Sequence, residues 1–179
     1  GYSNGGALAY RLADEAWRTI AAVGIYASAP EATGTLQSTV FSLRRVQHAS
    51  LMAIHSIDDP RIAYAGTERW GVVNPPFLAT GRFWADALGC RRPVPRQDRG
   101  GYLRDGDEEC DAGTAVELLS LKGWTHEWAG PANLSAPDAP PALRDFDAAE
   151  QMWRFFAAHP KRERREAGPP GLPESHPDR

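Results

Sequence analysis

The first five residues, Gly1-Tyr2-Ser3-Asn4-Gly5, spell G-x-S-x-G, the pattern of a nucleophile elbow. Such an elbow is a tight strand-to-helix turn that lifts a serine Oγ clear of the backbone. Its glycines answer to the crowding where strand and helix converge. A serine hydroxyl is a weak nucleophile until a base takes its proton. A histidine serving as that base needs a carboxylate to fix its tautomer and stabilise the imidazolium. With a serine on such an elbow, the partners follow in the order Ser, acid, His, each on a loop after a strand. The chain supplies that order. Asp58 and Asp59 follow the apolar run Ser50–Ser56, and His126 follows Gly113–Leu121 within Gly123-Trp124-Thr125-His126-Glu127-Trp128. Of the other histidines, His48 precedes a strand, His55 lies inside one, and His159 and His176 belong to a helix end and a tail. The backbone N–H of Asn4, next after Ser3, is one donor for the oxyanion of such a reaction. His126-Glu127 begins like H-E-x-x-H, but residue 130 is Gly130, so a second metal ligand is missing and no metal is expected. No glycine-rich phosphate loop follows a strand, and no cofactor is expected.

The elements that must position these groups are legible as periodicity. Asn4 to about Ala16 places Leu8, Leu12 and Ala16 at i, i+4 and i+8, which predicts a helix directly after Ser3. The run Ile20–Ser28 predicts a buried parallel strand, and Ser50–Ser56 a second one. Glu31–Ser42 reads as irregular. Pro75–Leu88 predicts an amphipathic helix that starts on proline and turns Phe77, Trp84 and Leu88 inward. Gly113–Leu121 reads as a third strand. Asp145–Ala158 reads as a closing helix N-capped by Asp145. Strands alternating with helices predict an α/β fold with a parallel sheet. Residues 160–179 are proline-rich, charged and aperiodic, and read as a disordered tail.

The chain has 179 residues, enough for one domain with a substantial core. A net charge of −3 argues against a nucleic-acid partner. No run of 18 apolar residues is present, so no membrane-spanning helix is expected. Cys90 and Cys110 are the two cysteines, with a loop-like, aperiodic stretch between them. They read as a disulfide rather than two free thiols, which implies an exported protein. Oligomeric state leaves no signature in the sequence.

The opening Gly1 to Ala13, with Ser3-Asn4-Gly5-Gly6 followed by Tyr10-Arg11-Leu12, resembles the elbow of secreted polyhydroxybutyrate-depolymerase-like and feruloyl-esterase-like α/β-hydrolases, similar to carbohydrate esterase family 1. His55-Ser56-Ile57-Asp58-Asp59-Pro60 is similar to that family's H-G-x-x-D-P, which places the acid on Asp59. Trp84 through Gly89-Cys90, then Cys110, resembles its usually bridged cysteine pair. Gly123 to Trp128 resembles its G-G-x-H-x-W, with the base on His126 and Trp128 beside the substrate. Three positions depart from the pattern: Ser56 stands for the usual glycine, Ala129-Gly130 for Pro-Gly, and Trp124 for a small residue.

The resemblance runs from residue 1 to about 159. It implies an N-terminally truncated α/β-hydrolase of about three parallel strands with flanking helices, 1–159 being the C-terminal part of the catalytic domain. It also implies a secreted or cell-envelope serine esterase that acts on polyhydroxyalkanoate-type polyesters or on feruloyl or acetyl esters of carbohydrates. Catalytic residues would be Ser3, Asp59 and His126, with Tyr2 and Trp128 flanking the substrate. Lacking the strand under Ser3 and the loop with a second oxyanion donor, the chain by itself is expected to be inactive or nearly so. A prolyl-oligopeptidase-type peptidase shares the residue order, and a non-catalytic binding domain is the reading from another class. Intact Ser3, Asp59 and His126 and the cysteine pair favour the esterase over both.

Overall fold

The computed structural model describes residues 1–35, 40–43, 48–69 and 72–161. Helix α1 (Asn4–Glu15) leads to β1 (Ala22–Tyr26), two short strands β2 (Ala32–Thr33) and β3 (Val40–Phe41), and then β4 (Ser50–Ser56). Strands β5 (Thr67–Arg69) and β6 (Val72–Asn74) precede α2 (Phe77–Ala87). A hairpin of β7 (Arg92–Asp98) and β8 (Tyr102–Glu108) is followed by β9 (Val116–Leu121), the one-turn helix α3 (Pro131–Leu134) and α4 (Ala148–Ala158). The main sheet has five strands in the order β1-β4-β9-β8-β7, and a small antiparallel sheet has the order β3-β2-β6-β5.

Strands β1, β4 and β9 are parallel to one another. Every residue of β4 is buried, as expected of a strand covered on both faces. Its side chains divide by the period of two. Leu51 and Ala53 pack with Tyr10 of α1 and with Trp84 and Ala85 of α2, whereas Met52 and Ile54 pack on the opposite face with Met152 and Phe155 of α4. The architecture is a mixed α/β sandwich of helices on both sides of a mixed sheet.

Several expectations need correction. The sheet holds more than three strands, because Arg92–Asp98 and Tyr102–Glu108 are strands and the stretch between the cysteines is no loop. That hairpin carries no apolar alternation, so periodicity could not find it. Ion pairs between facing strands take its place: Arg92 with Glu108, Arg96 with Asp105, and Arg104 with Glu117. Pro93 and Pro95 are tolerated because β7 is an edge strand. The closing helix is capped by Asp147, which accepts from the N–H groups of Ala149 and Glu150. Asp145 does not cap it, because the chain still turns there to bury Phe146, whose N–H goes to Leu143 O. In α1 the buried face is Gly6, Tyr10 and Ala13, while Leu8 and Leu12 are exposed. Glu31–Ser42, read as irregular, contributes β2 and β3 at its described ends. From residue 162 onward the segment read as a tail lies outside the described residues.

Cys90 and Cys110 form a disulfide that joins the end of α2 to the end of β8 across a separation of 20 residues. A bridge of this span acts chiefly by restricting the unfolded chain, and its loss costs about 3 kcal/mol. Replacing both cysteines with serine lowers the free energy of urea unfolding by that amount. Reducing agent brings the parent down to the same level and leaves the double variant unmoved. A midpoint shared by all samples would contradict this.

Candidate active site

Three strand ends converge on one point. Ser3 lies between the segment at the edge of β1 and the start of α1. Asp59 follows β4, and His126 follows β9. The Ser3 backbone sits at φ 52° and ψ −121°, a strained region for a residue with a side chain and the conformation an elbow demands. The turn is held in place. Residues 1–3 run beside β1 through a parallel bridge of Tyr2 with Tyr26. The Gly1 amino group donates to Gly24 O at 2.6 Å. The Ser3 N–H donates to Tyr26 O at 2.9 Å, and the Tyr26 N–H to Gly1 O at 2.8 Å. Sequence reasoning left this turn without support. The three bonds to β1 supply it.

Close approach governs only some of the elbow's glycines. A Cβ on Gly1 would stand 2.1 Å from Gly5 O, and one on Gly6 would stand 2.5 Å from Ser28 Cβ, whereas one on Gly5 would meet nothing within 4 Å. The glycine that lets α1 press on β1 is therefore Gly6, one residue past the motif.

The three side chains meet although they stand 67 and 123 residues apart. The His126 Nε2 lies 2.9 Å from Ser3 Oγ, and Nδ1 lies 2.8 Å from Asp59 Oδ2. A carboxylate only accepts, so Nδ1 carries the proton and Nε2 presents its lone pair to the serine hydroxyl. Asp59 Oδ1 accepts from the N–H groups of Arg61 at 2.8 Å and Ile62 at 2.9 Å. Asp59 and His126 are buried, and Ser3 is half-exposed at the opening. Asp58 does something else: it is exposed, and its Oδ2 accepts from the Gly123 N–H at 2.8 Å.

The loop that carries His126 is fastened along its length. The Ser56 Oγ donates to Trp124 O, so two of the three positions that depart from the resembled pattern touch each other. Trp124 Nε1 and the Tyr26 hydroxyl both donate to Glu127 O at 2.7 Å. The Ala129 N–H then donates to Tyr26 Oη at 3.0 Å. Burial pushes the Tyr26 phenol well above its ordinary range, so it remains a donor. Tyr26 was not singled out from the sequence, and Ser56 only as a departure from the resemblance, since nothing in local spacing marks a bond across 101 or 68 residues.

Tyr2 and Trp128 border the opening. The Tyr2 ring centroid is 5.5 Å from that of His126 and 6.1 Å from that of Trp128. Trp128 also leans on Tyr26 at 4.7 Å. Asn4 is the first residue of α1, so no carbonyl of a preceding helical turn takes its N–H. A concavity of about 1070 Å³ lies at the other ends of the strands between Trp17, His48, Ser50 and Thr114, and holds none of Ser3, Asp59 and His126.

Compared with known proteins, the chain matches no protein-family model and no curated protein. Among the described residues no helix is long and apolar enough to cross a membrane.

Proposed function

We propose that the protein is a serine carboxylic-ester hydrolase with an α/β-hydrolase fold and a Ser3–His126–Asp59 triad. The observation that carries this reading is the unbroken chain from Ser3 Oγ through both nitrogens of His126 to Asp59 Oδ2. It is joined to a nucleophile backbone held at positive φ. Ser3 Oγ attacks the ester carbonyl carbon as its proton passes to His126 Nε2. The tetrahedral oxyanion forms against the Asn4 N–H. When the carbon–oxygen bond to the alcohol breaks, Nε2–H returns the proton to the leaving oxygen. Water then repeats the sequence and frees Ser3 from the acyl-enzyme. Asp59 remains ionised throughout and offsets the imidazolium charge.

The substrate classes proposed are hydroxyalkanoate polyesters and feruloyl or acetyl esters of carbohydrates, with Tyr2 and Trp128 against the bound ester. The disulfide fits an exported or cell-envelope protein. The Asn4 N–H is the oxyanion donor assigned, and acylation of Ser3 is the step to read. A fluorophosphonate probe is expected to modify the parent chain at Ser3, located by mass spectrometry of the peptide, and to leave Ser3→Ala and His126→Ala untouched. A parent that takes no label, or a Ser3→Ala variant that labels equally well, would defeat the proposal.

A further inference from the structure

His55 is buried, lies next to the triad and has no part in the proton transfers above. It sits in β4, paired with Ser120 of β9 in the parallel ladder, and is thus as rigidly placed as any residue of the sheet. Its Nε2 is 2.8 Å from Ile62 O and 3.4 Å from Asp59 Oδ2. Both neighbours only accept, so Nε2 must carry the hydrogen. Ile62 closes a ring: its N–H donates to Asp59 Oδ1 while its C=O accepts from His55. Asp59 Oδ1 is thereby referred to β4, and Oδ2, 3.4 Å from His55 Nε2, is the oxygen that faces His126.

We infer that His55 is a positioning residue for the triad, a neutral Nε2–H tautomer that donates to Ile62 O and so fixes the residue whose own N–H seats Asp59 Oδ1. The inference rests on the hydrolase reading for its consequence in catalysis, but not for its geometry. The Nδ1 atom of His55 is buried and makes no hydrogen bond. Burial holds the ring below the ordinary histidine range against the Ile62 and Ser28 backbone and the Asp59 charge, which favour its charged form, and a charged His126 opposes its protonation further. The remaining groups around it agree. Tyr64 and Phe77 flank the ring with centroids 6.1 and 5.3 Å away. The Tyr64 phenol is raised by burial and shares a hydrogen bond with Ser120 Oγ, so it is neutral too. Among the described residues Asp59 is the anion beside His55, and a neutral His55 leaves that charge to a single imidazolium, His126.

Nitrogen-15 NMR of the histidine-labelled full chain tests this without any need for turnover. His55 is expected to remain in the Nε2–H tautomer from about pH 6 to pH 8, the window in which an unperturbed histidine titrates. Two variants follow: His55→Leu, which lacks a donor, and His55→Gln, whose amide N–H reaches the same point. In His55→Leu the Ile62 carbonyl loses its donor and the turn that seats Asp59 loosens, so the His126 Nδ1–H proton, held against Asp59 Oδ2 in the parent, moves upfield and exchanges faster. In His55→Gln it stays as in the parent. An Nδ1–H tautomer, a charged His55, or a Gln variant that shifts as the Leu variant does would overturn the inference. Should His55→Leu fail to fold, the tautomer of the parent decides alone. A parent that labels with fluorophosphonate but shows the wrong tautomer defeats only the role of His55. A parent with the right tautomer that takes no label defeats only the hydrolase.

Discussion

Asn in place of Asp59 lowers the single-turnover rate of Ser3 acylation by p-nitrophenyl acetate about 10⁴-fold, with the fold intact. The loss comes from one proton in the wrong place. Asp59 Oδ2 accepts from His126 Nδ1 at 2.8 Å. An asparagine amide there donates instead, which draws the Nδ1 lone pair toward it and puts the imidazole hydrogen on Nε2. An Nε2–H pointing at Ser3 Oγ cannot take the serine proton. The fold survives because asparagine keeps an oxygen for the N–H groups of Arg61 and Ile62, the bonds that shape the turn. Asp58→Asn is the matched control. Its amide oxygen still accepts from Gly123 N, so its rate stays close to the parent's. Burst amplitude and rate in stopped flow, beside a thermal melt of each variant, separate the outcomes. A fall of tenfold or less for Asp59→Asn, or equal losses for the two aspartates, would remove Asp59 from the triad.

Truncating Trp84 to alanine costs about 3–5 kcal/mol of unfolding free energy, the range for deleting a buried aromatic and leaving a cavity. Trp84 is wholly excluded from solvent. From α2 it meets Tyr10 of α1 with ring centroids 5.6 Å apart, so it couples the two helices that cover one face of the sheet. Its indole N–H donates to Ala49 O at 3.1 Å, where the chain enters β4. Trp84→Phe separates the two contributions. It retains most of the packing but orphans the Ala49 carbonyl, at a cost of about 1–3 kcal/mol. Urea unfolding followed by far-ultraviolet circular dichroism measures both. Trp84→Ala within 1 kcal/mol of the parent would mean that the α1–α2 contact does not hold this face together.

Much of this was open to reading from residue types alone, for reasons that also mark where reading stopped. The buried run Ser50–Ser56 coincides with β4, since a strand apolar on both faces needs no alternation to be recognised. Phe77, Trp84 and Leu88 face the core as their spacing requires. The order Ser3, Asp, His126 survives folding because strand ends set it. The choice between Asp58 and Asp59 left a local trace: a carboxylate that accepts from the second and third N–H ahead closes an Asx turn. By contrast, α1 buries Tyr10 instead of Leu8 and Leu12 because the approach to β1 passes through Gly6, whose neighbour Ser28 is distant in sequence. The β7–β8 hairpin hid behind arginines and carboxylates that pair across strands. His55, Ser56 and Tyr26 act through bonds to partners that only the fold brings near.

The ties on the His126 loop fall mainly on backbone atoms: the carbonyls of Trp124 and Glu127, and the N–H groups of Gly123 and Ala129. The side chains of Thr125 and Glu127 point into solvent, and Thr125 spends its hydroxyl on the neighbouring Glu127 N–H. Placement of the imidazole and the chemistry of the surrounding rim are therefore carried by different atoms. Such a loop is evolvable. Its outward letters can be rewritten to suit a new substrate of the proposed hydrolase while the base stays where β1 and β4 hold it.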